Sequence, residues 1–359
     1  MEKKIQLSVV ETEQKYSYDP AESVYGGEQV VSWGLNNDLP KLYNNCYEKS
    51  ATLKAAIDQS INYVLGDGIV INPDAGLWLE QVNRRGDTMQ DLINHIVFDY
   101  FTTGNFAIQV VFNKIGVVCE LFALDVNRCR LNGDKNKVFY SKKYWTKYQT
   151  KADTYDRFGY AEFNPEKPTQ IYFYNGTGIR NCYNKAPWAA ALNDVLCEVE
   201  GSEYSLNSVT NGFSARYILN IPDTANLTDE QKDALNESIK SKFTGPNANS
   251  FMLYFTNDEG KEIDVKKIES DETPERFIAI RNASRENIFV SLRISQLLCG
   301  LSTGTNTGFS TQEFSDSYKL YDRSVAEPVR HIIERALDKI TGLKDVVKIT
   351  PFTIVFDNE

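Results

Sequence analysis

Side chains that usually carry out chemistry are scarce in this sequence. Its 359 residues include two histidines, His95 and His331, and six scattered cysteines that form no C-x-x-C pair. Acid–base catalysis and zinc binding therefore have few candidates, and the cysteines are predicted to be reduced and to pack as small apolar side chains. We predict no catalytic residue, no metal site and no cofactor.

Long apolar runs are also missing. No stretch of about 18 uncharged apolar residues occurs, and the N-terminus MEKKIQLSVVETEQKY carries charges where a signal peptide would be apolar. The sequence thus predicts neither membrane insertion nor secretion, and we expect the protein in the cytoplasm or in a particle assembled there. The 42% of hydrophobic residues suffices for the core of one large domain or of two to three small ones.

Positive charge is in deficit, because 39 Lys and Arg face 49 Asp and Glu, which gives a formal net charge of −10. Strong binding to nucleic acid that ignores sequence comes from Lys and Arg that displace counterions. The net charge argues against a protein that binds DNA tightly, but it is compatible with one that contacts DNA with low affinity.

The spacing of apolar residues predicts a mixed α+β fold. In the first half, Ser50 is placed to cap a helix that ends at the Gly-Asp-Gly of 66–68, and an i, i+3, i+4, i+7 stripe predicts a helix from Met89 to Phe101. A hairpin is predicted from strands 105–112 and 117–124. Residues 1–48 are expected to be mostly polar loops, and residues 133–165 a surface segment that adds little to the core.

The second half alternates long helices with a small α/β insert. We predict a helix over 186–211, strands and a capped helix within 216–260, and one unbroken helix from Thr273 through Cys299. A second capping box, Ser310 to Glu313, opens a long helix that kinks at Pro328, and an apolar strand around FTIVF follows.

A loop with Gly300, Gly304 and Gly308 separates the last two helices. It does not fit a Walker phosphate loop, because Phe309 replaces the expected lysine and a helix precedes it. Gly300 to Gly304 also fits G-x-S-x-G with Ser302 as nucleophile, but this motif needs a strand-to-helix turn and a downstream histidine base, and His331 lies within the following helix. What remains is an uncharged loop rich in hydroxyl and amide groups between two long helices.

Two charged patterns have a structural and a functional interpretation. His95 lies one turn from Asp91 and from Asp99, a spacing that could gather metal ligands, although we predict a solvated charged face. Arg281, Arg285 and Arg293 recur at multiples of four and form a basic stripe, either facing a channel or pairing with a neighbouring helix or subunit.

The order of these segments resembles the portal proteins of tailed bacteriophages. SATLKAAIDQSINYVLGDGI is similar to the family's N-terminal helix, and FDYFTTGNFAIQVVFNKIGVVCELFALDVNRCRL to its wing helix and hairpin. APWAAALNDVLCEVEGSEYSLNSVTNG resembles the first stem helix leading to the clip. NIFVSLRISQLLCGLSTGTNTGFSTQEFSDSYKLYDRSVAEPVRHIIERAL resembles the second stem helix, the tunnel loop and the kinked helix behind it.

The resemblance implies a division of the chain into the family's parts. These are an N-terminal region and wing (1–185), a first stem helix (186–212), a clip (213–269), a second stem helix (270–298), a tunnel loop (299–310), a kinked helix (311–341) and a C-terminal wing strand (342–359) with a minimal or absent crown. The tunnel loop would line a DNA channel through Ser302, Thr303, Gly304, Thr305, Asn306, Thr307, Gly308 and Phe309.

The resemblance also implies a function and partners. Twelve copies are expected to form a ring at the capsid vertex of a virion, through which double-stranded DNA is packaged and ejected. The partners implied are the terminase large subunit, the major capsid protein and a head–tail adaptor, with no membrane involved. The alternatives are an enzyme that binds a nucleotide or phosphoester with residues 297–313, and another structural protein of the virion.

Overall fold

The computed structural model describes residues 22–25, 29–146, 151–176, 181–210, 216–222, 251–256, 264–268, 274–301 and 310–354. The chain divides into two compact units. One contains residues 1–190 and 289–359, and the other contains residues 191–288. Both helices and strands occur, which confirms the predicted α+β class.

Three helices begin the first unit: α1 (Leu39–Lys49), α2 (Ala51–Leu65) and α3 (Met89–Thr103). The predicted Ser50 cap of α2 is confirmed, because its side chain accepts a hydrogen bond from the N–H of Leu53. The expectation of polar loops before residue 48 is wrong for α1. Its buried Leu39, Tyr43 and Cys46 recur at helical spacing, so that one face of the helix packs into the core.

A six-stranded sheet has the order β5-β4-β9-β8-β7-β6. Its strands are β4 (Phe106–Phe112), β5 (Val118–Leu124), β6 (Cys129–Leu131), β7 (Lys137–Tyr140), β8 (Asp153–Arg157) and β9 (Thr169–Tyr174). The β4–β5 hairpin confirms the predicted pair of strands. Two further strands, β1 (Val24–Tyr25) and β2 (Val30–Val31), form a small antiparallel ribbon.

The segment 133–165 contributes to the core, contrary to the prediction. It supplies β7 and β8, and Val138 and Phe139 are buried. Arg157 is buried as well, with its guanidinium bonded to the carbonyl of Phe173 and to Oδ1 of Asn175, both at 2.8 Å. The many Lys, Tyr and Asp residues of the segment concealed these buried positions.

Strand β3 (Gly68–Ile71) pairs antiparallel with β13 (Val347–Thr350). The predicted terminal strand is therefore misplaced, because residues 351–354 are irregular and residues 355–359 lie outside the described part of the chain. Gly66 ends α2 at φ 55° beside β13, where an added Cβ would lie 2.0 Å from the carbonyl oxygen of Thr350. Only glycine fits this approach.

The second unit contains helix α4 (Leu192–Thr210) and a sheet of order β11-β10-β12. The strands are β10 (Arg216–Pro222), β11 (Phe251–Thr256) and β12 (Asp264–Ile268), with β10 parallel to β11 and antiparallel to β12. Helix α4 passes through Gly201 as predicted, although it begins later than residue 186. The predicted helix at Thr228 lies outside the described residues.

Helix α5 (Pro274–Leu292) does not continue to Cys299, so the predicted unbroken helix is wrong at its C-terminal end. Arg293 adopts a left-handed conformation at φ 56°, and its N–H bonds to the carbonyl of Val290 while that of Ile294 bonds to Phe289. This pair of bonds is a Schellman motif, which is usually built on glycine. Ile294 and Phe289 are both buried, which explains why a residue without glycine's freedom ends the helix here.

Helix α6 (Thr311–Tyr321) continues through a π-helical turn, Asp322–Ala326, into α7 (Glu327–Thr341). The predicted continuity of this long helix is confirmed, with the π-helical turn directly before Pro328, and the kink at Pro328 stays a prediction. Proline has no N–H to donate and its ring collides with the carbonyl four residues earlier, so the wider turn before it relieves the clash. Within the described residues, no helix is both long and apolar enough to cross a bilayer.

Candidate functional site

The predicted channel-lining residues, 302–309, lie outside the described part of the chain. The structure does describe both borders of this segment, which are Leu301 and Ser310. The candidate site therefore consists of the described residues that flank the predicted tunnel loop. Both borders belong to the first unit.

The N-terminal border is a tight 3-10 turn, Gln296–Cys299. The hydroxyl of Ser295 accepts a hydrogen bond from the N–H of Leu297, and the N–H of Leu301 reaches back to the carbonyl of Gln296 at 3.0 Å. Leu297 and Leu298 are buried. The chain thus enters the loop from a turn that is hydrogen-bonded and packed into the core.

The C-terminal border is the first turn of α6. Ser310 is its N-cap and accepts a hydrogen bond from the N–H of Glu313, which is half of the predicted capping box. Gln312 donates to Asp316 at 2.9 Å along the exposed face of the same turn. The helix therefore begins directly where the loop ends.

A cluster of aromatic side chains joins the two borders, and we call it the loop base: Tyr63, Tyr318, Tyr321 and Phe352. The phenol of Tyr63 donates to the carbonyl of Leu298 at 3.0 Å, in the turn before the loop. Its ring lies 5.2 Å from that of Tyr318 and 5.7 Å from that of Tyr321, both on the helix after the loop. One residue of α2 thus contacts both sides of the loop.

A partly buried ion pair supports the loop base. Arg330 of α7 is 4% exposed and contacts Oδ1 of Asp322 at 2.5 Å, in the π-helical turn. Its other terminal nitrogen donates to the carbonyl of Tyr63 at 3.0 Å. Tyr318 completes the connection by donating to the carbonyl of Phe352 at 2.9 Å. These hydrogen bonds join α2 to the turn before the loop, α7 to α2, and α6 to the segment at Phe352.

The protonation states around the base do not suit nucleophilic chemistry. Burial raises the pKa of Tyr318 to about 12 and that of the Cys299 thiol to about 11, and it raises the pKa of Tyr63 above its ordinary value. These groups remain protonated near neutral pH, so they act as hydrogen-bond donors and apolar surface. A 3-10 turn precedes Gly300 where a hydrolase elbow or a Walker loop requires a strand.

The predicted basic stripe is shorter than expected. Arg281 and Arg285 lie on α5, exposed and half-buried respectively. Arg293 is exposed but follows the end of the helix, so it does not extend their row. Their contact with a channel or a neighbouring subunit stays a prediction.

The His95 pattern has a different environment from the one predicted. Asp91 caps α3 with Thr88, whereas Asp99 is buried and 3.8 Å from Nε2 of His95. The expectation of a solvated face is therefore wrong for Asp99, and burial raises its pKa well above the ordinary value. Among the described residues, no group of three or more His, Cys, Asp or Glu is placed to hold a metal ion.

Two cysteines also depart from the prediction of buried thiols. All six are free, but Cys119 and Cys197 are exposed. The sequence did not single out Tyr63, Tyr318, Tyr321, Asp322 or Arg330 as functional residues. The available signal was the spacing of Asp322 and Arg330, since residues eight apart lie on one face of a helix.

Comparison with known proteins gives one family and one fold. The sequence model of the family described as phage portal protein matches residues 72–342, which is most of the chain. No curated protein matches the sequence.

Solved structures share the fold at low sequence identity. A chain from the neck of a native gene transfer agent particle, computed with C12 symmetry, is 16% identical with a TM-score of 0.55, covering 93% of this chain and 86% of that one. An HK97 family phage portal protein from Corynebacterium diphtheriae is 11% identical with a TM-score of 0.52, covering 86% of this chain and 94% of that one. A chain from the virion of the native gene transfer agent particle is 17% identical with a TM-score of 0.54, covering 88% and 83%.

Proposed function

We infer the function of this chain from its family, because the chain belongs to the phage portal proteins, which are structural proteins and not enzymes. We propose that twelve copies form a ring at the vertex of a viral capsid and that double-stranded DNA passes through its central hole during packaging and ejection. The observation that carries this proposal is the family match across residues 72–342. The number twelve follows the C12 symmetry of the structurally similar neck particle.

We propose that the tunnel loop meets the passing DNA. Residues 302–309 carry hydroxyl, amide and phenyl groups and no charge. Neutral donors and acceptors contact phosphates without releasing counterions, so that they guide a polyanion with little affinity. The loop base supports this role, since Tyr63 ties the turn before the loop to the helix after it. A segment exposed to repeated sliding contact needs such firm attachment.

The remaining partners are assigned to the parts of the chain that the resemblance distinguishes. The terminase large subunit docks at the clip, residues 213–269, and supplies the energy for packaging. The wing faces the major capsid protein, and a head–tail adaptor binds the completed ring. The small sheet of β10, β11 and β12 supports the clip assignment, because it lies within a compact unit of its own, residues 191–288.

Electron microscopy of the purified protein tests the ring. Class averages should show closed rings with a central hole and twelvefold symmetry. A protein that stays monomeric or dimeric under assembly conditions contradicts the proposal.

A charge variant tests the channel role. Thr303→Lys with Thr305→Lys should slow DNA packaging in a manner relieved by added salt, because each lysine adds a phosphate contact per subunit. Ile115→Lys with Val117→Lys adds the same charge at the exposed tip of the β4–β5 hairpin and serves as the control. Equal rates of DNA packaging by the two variants would show that the loop does not line the channel.

A further inference from the structure

The first unit contains a pocket of about 250 Å³ that the proposed function does not use. It opens where the C-terminal ends of α3 and α5 meet the 184–187 segment and the π-helical turn. The residues that line it are Tyr100, Phe101, Gly104, Asn184, Lys185, Pro187, Ser291, Leu292, Arg293, Val325 and Val329.

The pocket combines an apolar interior with a basic opening. Phe101, Val325 and Val329 are buried, whereas Lys185 and Arg293 are exposed. No carboxylate is among the lining residues. A ligand that satisfies both features has an apolar group with a negative charge beside it.

The walls of the pocket are held in place before any ligand arrives. Asn105 and Asn184 exchange two hydrogen bonds of 2.9 and 3.0 Å between side chain and backbone. Gly104, at φ 78°, approaches the 184–187 segment so closely that an added Cβ would lie 2.2 Å from the carbonyl oxygen of Lys185. The Schellman motif fixes the backbone of Arg293. A preformed recess loses little conformational entropy when it binds.

We propose that this pocket receives an apolar side chain and an adjoining carboxylate from a second copy of this chain. The inference rests on the proposed ring, which brings a neighbouring copy to each subunit. Charge complementarity favours this occupant, because the chain carries a net charge of −10 and the pocket presents two cations. Duplex DNA fits less well, because its phosphates lie on a convex rod that cannot bring an apolar group to a buried floor.

Charge reversal at the opening tests the contribution of the cations. Lys185→Glu with Arg293→Glu should raise the protein concentration needed for ring assembly by about tenfold, as expected when complementary charges at an interface become repulsive. Lys142→Glu with Lys167→Glu makes the same change in charge at exposed positions away from the pocket. Equal assembly by the two variants would overturn the proposal.

Cross-linking identifies the occupant. A benzophenone amino acid in place of Pro187, which is exposed and lines the pocket, should capture a peptide of a second copy that carries an apolar residue next to Asp or Glu. Capture of DNA, or intact rings with no cross-link between subunits, would overturn this inference. Neither result would contradict the proposed ring. A wild-type protein that forms no rings overturns the proposed function itself.

Discussion

The phenolic hydroxyl of Tyr63 lies 3.0 Å from the carbonyl oxygen of Leu298, although 235 residues separate them in the chain. This hydrogen bond attaches the turn before the predicted tunnel loop to helix α2. The ring of the same tyrosine packs against Tyr318 and Tyr321 on the helix after the loop. One side chain therefore contacts the residues on both sides of segment 302–309, whose own side chains are uncharged.

Replacing Tyr63 with Phe should lower the free energy of unfolding by about 1–2 kcal/mol. The buried carbonyl of Leu298 loses this donor while the aromatic packing remains. Chemical denaturation measures the change. Tyr160→Phe is the matched control, since its side chain is exposed and should cost less than about 0.5 kcal/mol. Equal losses in the two variants would show that the bond to Leu298 contributes nothing.

Arg330→Met should destabilise the first unit by about 1–3 kcal/mol, because it removes one partner of a partly buried ion pair and a donor to the carbonyl of Tyr63. Adding Asp322→Asn should restore part of the loss, since no unpaired carboxylate then remains. A double-mutant cycle by thermal and chemical unfolding gives the coupling. Strictly additive single effects would mean that the two charges act independently.

Asp99→Asn should change how stability depends on pH. Burial raises the pKa of Asp99 in the folded state, so the folded protein keeps a proton that the unfolded chain loses above about pH 4. The contribution of Asp99 to stability is thus full below its unfolded pKa and falls as pH rises towards its folded pKa. Denaturant titrations from pH 4 to 8 should show a smaller decline for the variant than for wild type.

The reference for the sign of that effect is Asp91→Asn. Hydrogen bonds from Thr88 lower the pKa of Asp91, so its contribution is present above the unfolded pKa and is lost as pH falls through the lower, folded pKa. The two variants should therefore change the profile in different windows, Asp99→Asn above about pH 4 and Asp91→Asn below it, and denaturant titrations extended to about pH 2 cover both. A pH profile of Asp99→Asn identical to that of wild type would show that burial does not raise the pKa of Asp99.

Gly66→Ala should cost about 2–4 kcal/mol, because its backbone conformation suits glycine and the new methyl group would overlap the Thr350 carbonyl of β13. Gly342→Ala is the control. Gly342 also has a positive φ, of 73°, but nothing lies within 4 Å of an added Cβ, so only the backbone cost of about 1 kcal/mol applies. Similar melting temperatures for the two variants would contradict the close contact.

Arg293→Gly should raise the free energy of unfolding by roughly 1 kcal/mol, since glycine adopts the left-handed conformation of this helix end without strain. Calorimetry of the unassembled chain measures the gain. Arg281→Gly, in the interior of α5, should instead lose about 1 kcal/mol. If Arg293→Gly lowers the free energy of unfolding, the arginine side chain makes a contact that stabilises the protein by more than its left-handed backbone conformation costs.

Sequence reasoning located the elements whose signals are local. Ser50 caps α2, the β4–β5 hairpin lies where it was predicted, and the last long helix runs through Pro328. In each case the deciding interaction lies within a few residues of the signal. Family membership was also within reach, because it depends on the order of such segments along the chain.

Features decided by distant partners were missed. The end of α5 at Leu292 depends on a left-handed arginine and on the backbone bond from the buried Ile294 to the buried Phe289, where the sequence shows no glycine or proline to stop the helix. Asp99 looked solvated because nothing in α3 reveals that the Val126 segment covers it. The loop base was hidden for the same reason, since Tyr63 and Arg330 come together only through the fold.

The π-helical turn Asp322–Ala326 has a consequence for insertions and deletions. An α-helix rotates by about 100° per residue, so the wider turn offsets the angular phase of α7 relative to α6. Tyr321 can thus face the loop base while Ile333 and Leu337 face the core. Deleting one residue there would turn every later side chain of the helix by about a quarter of a revolution, while substitutions at the same positions would leave that phase unchanged.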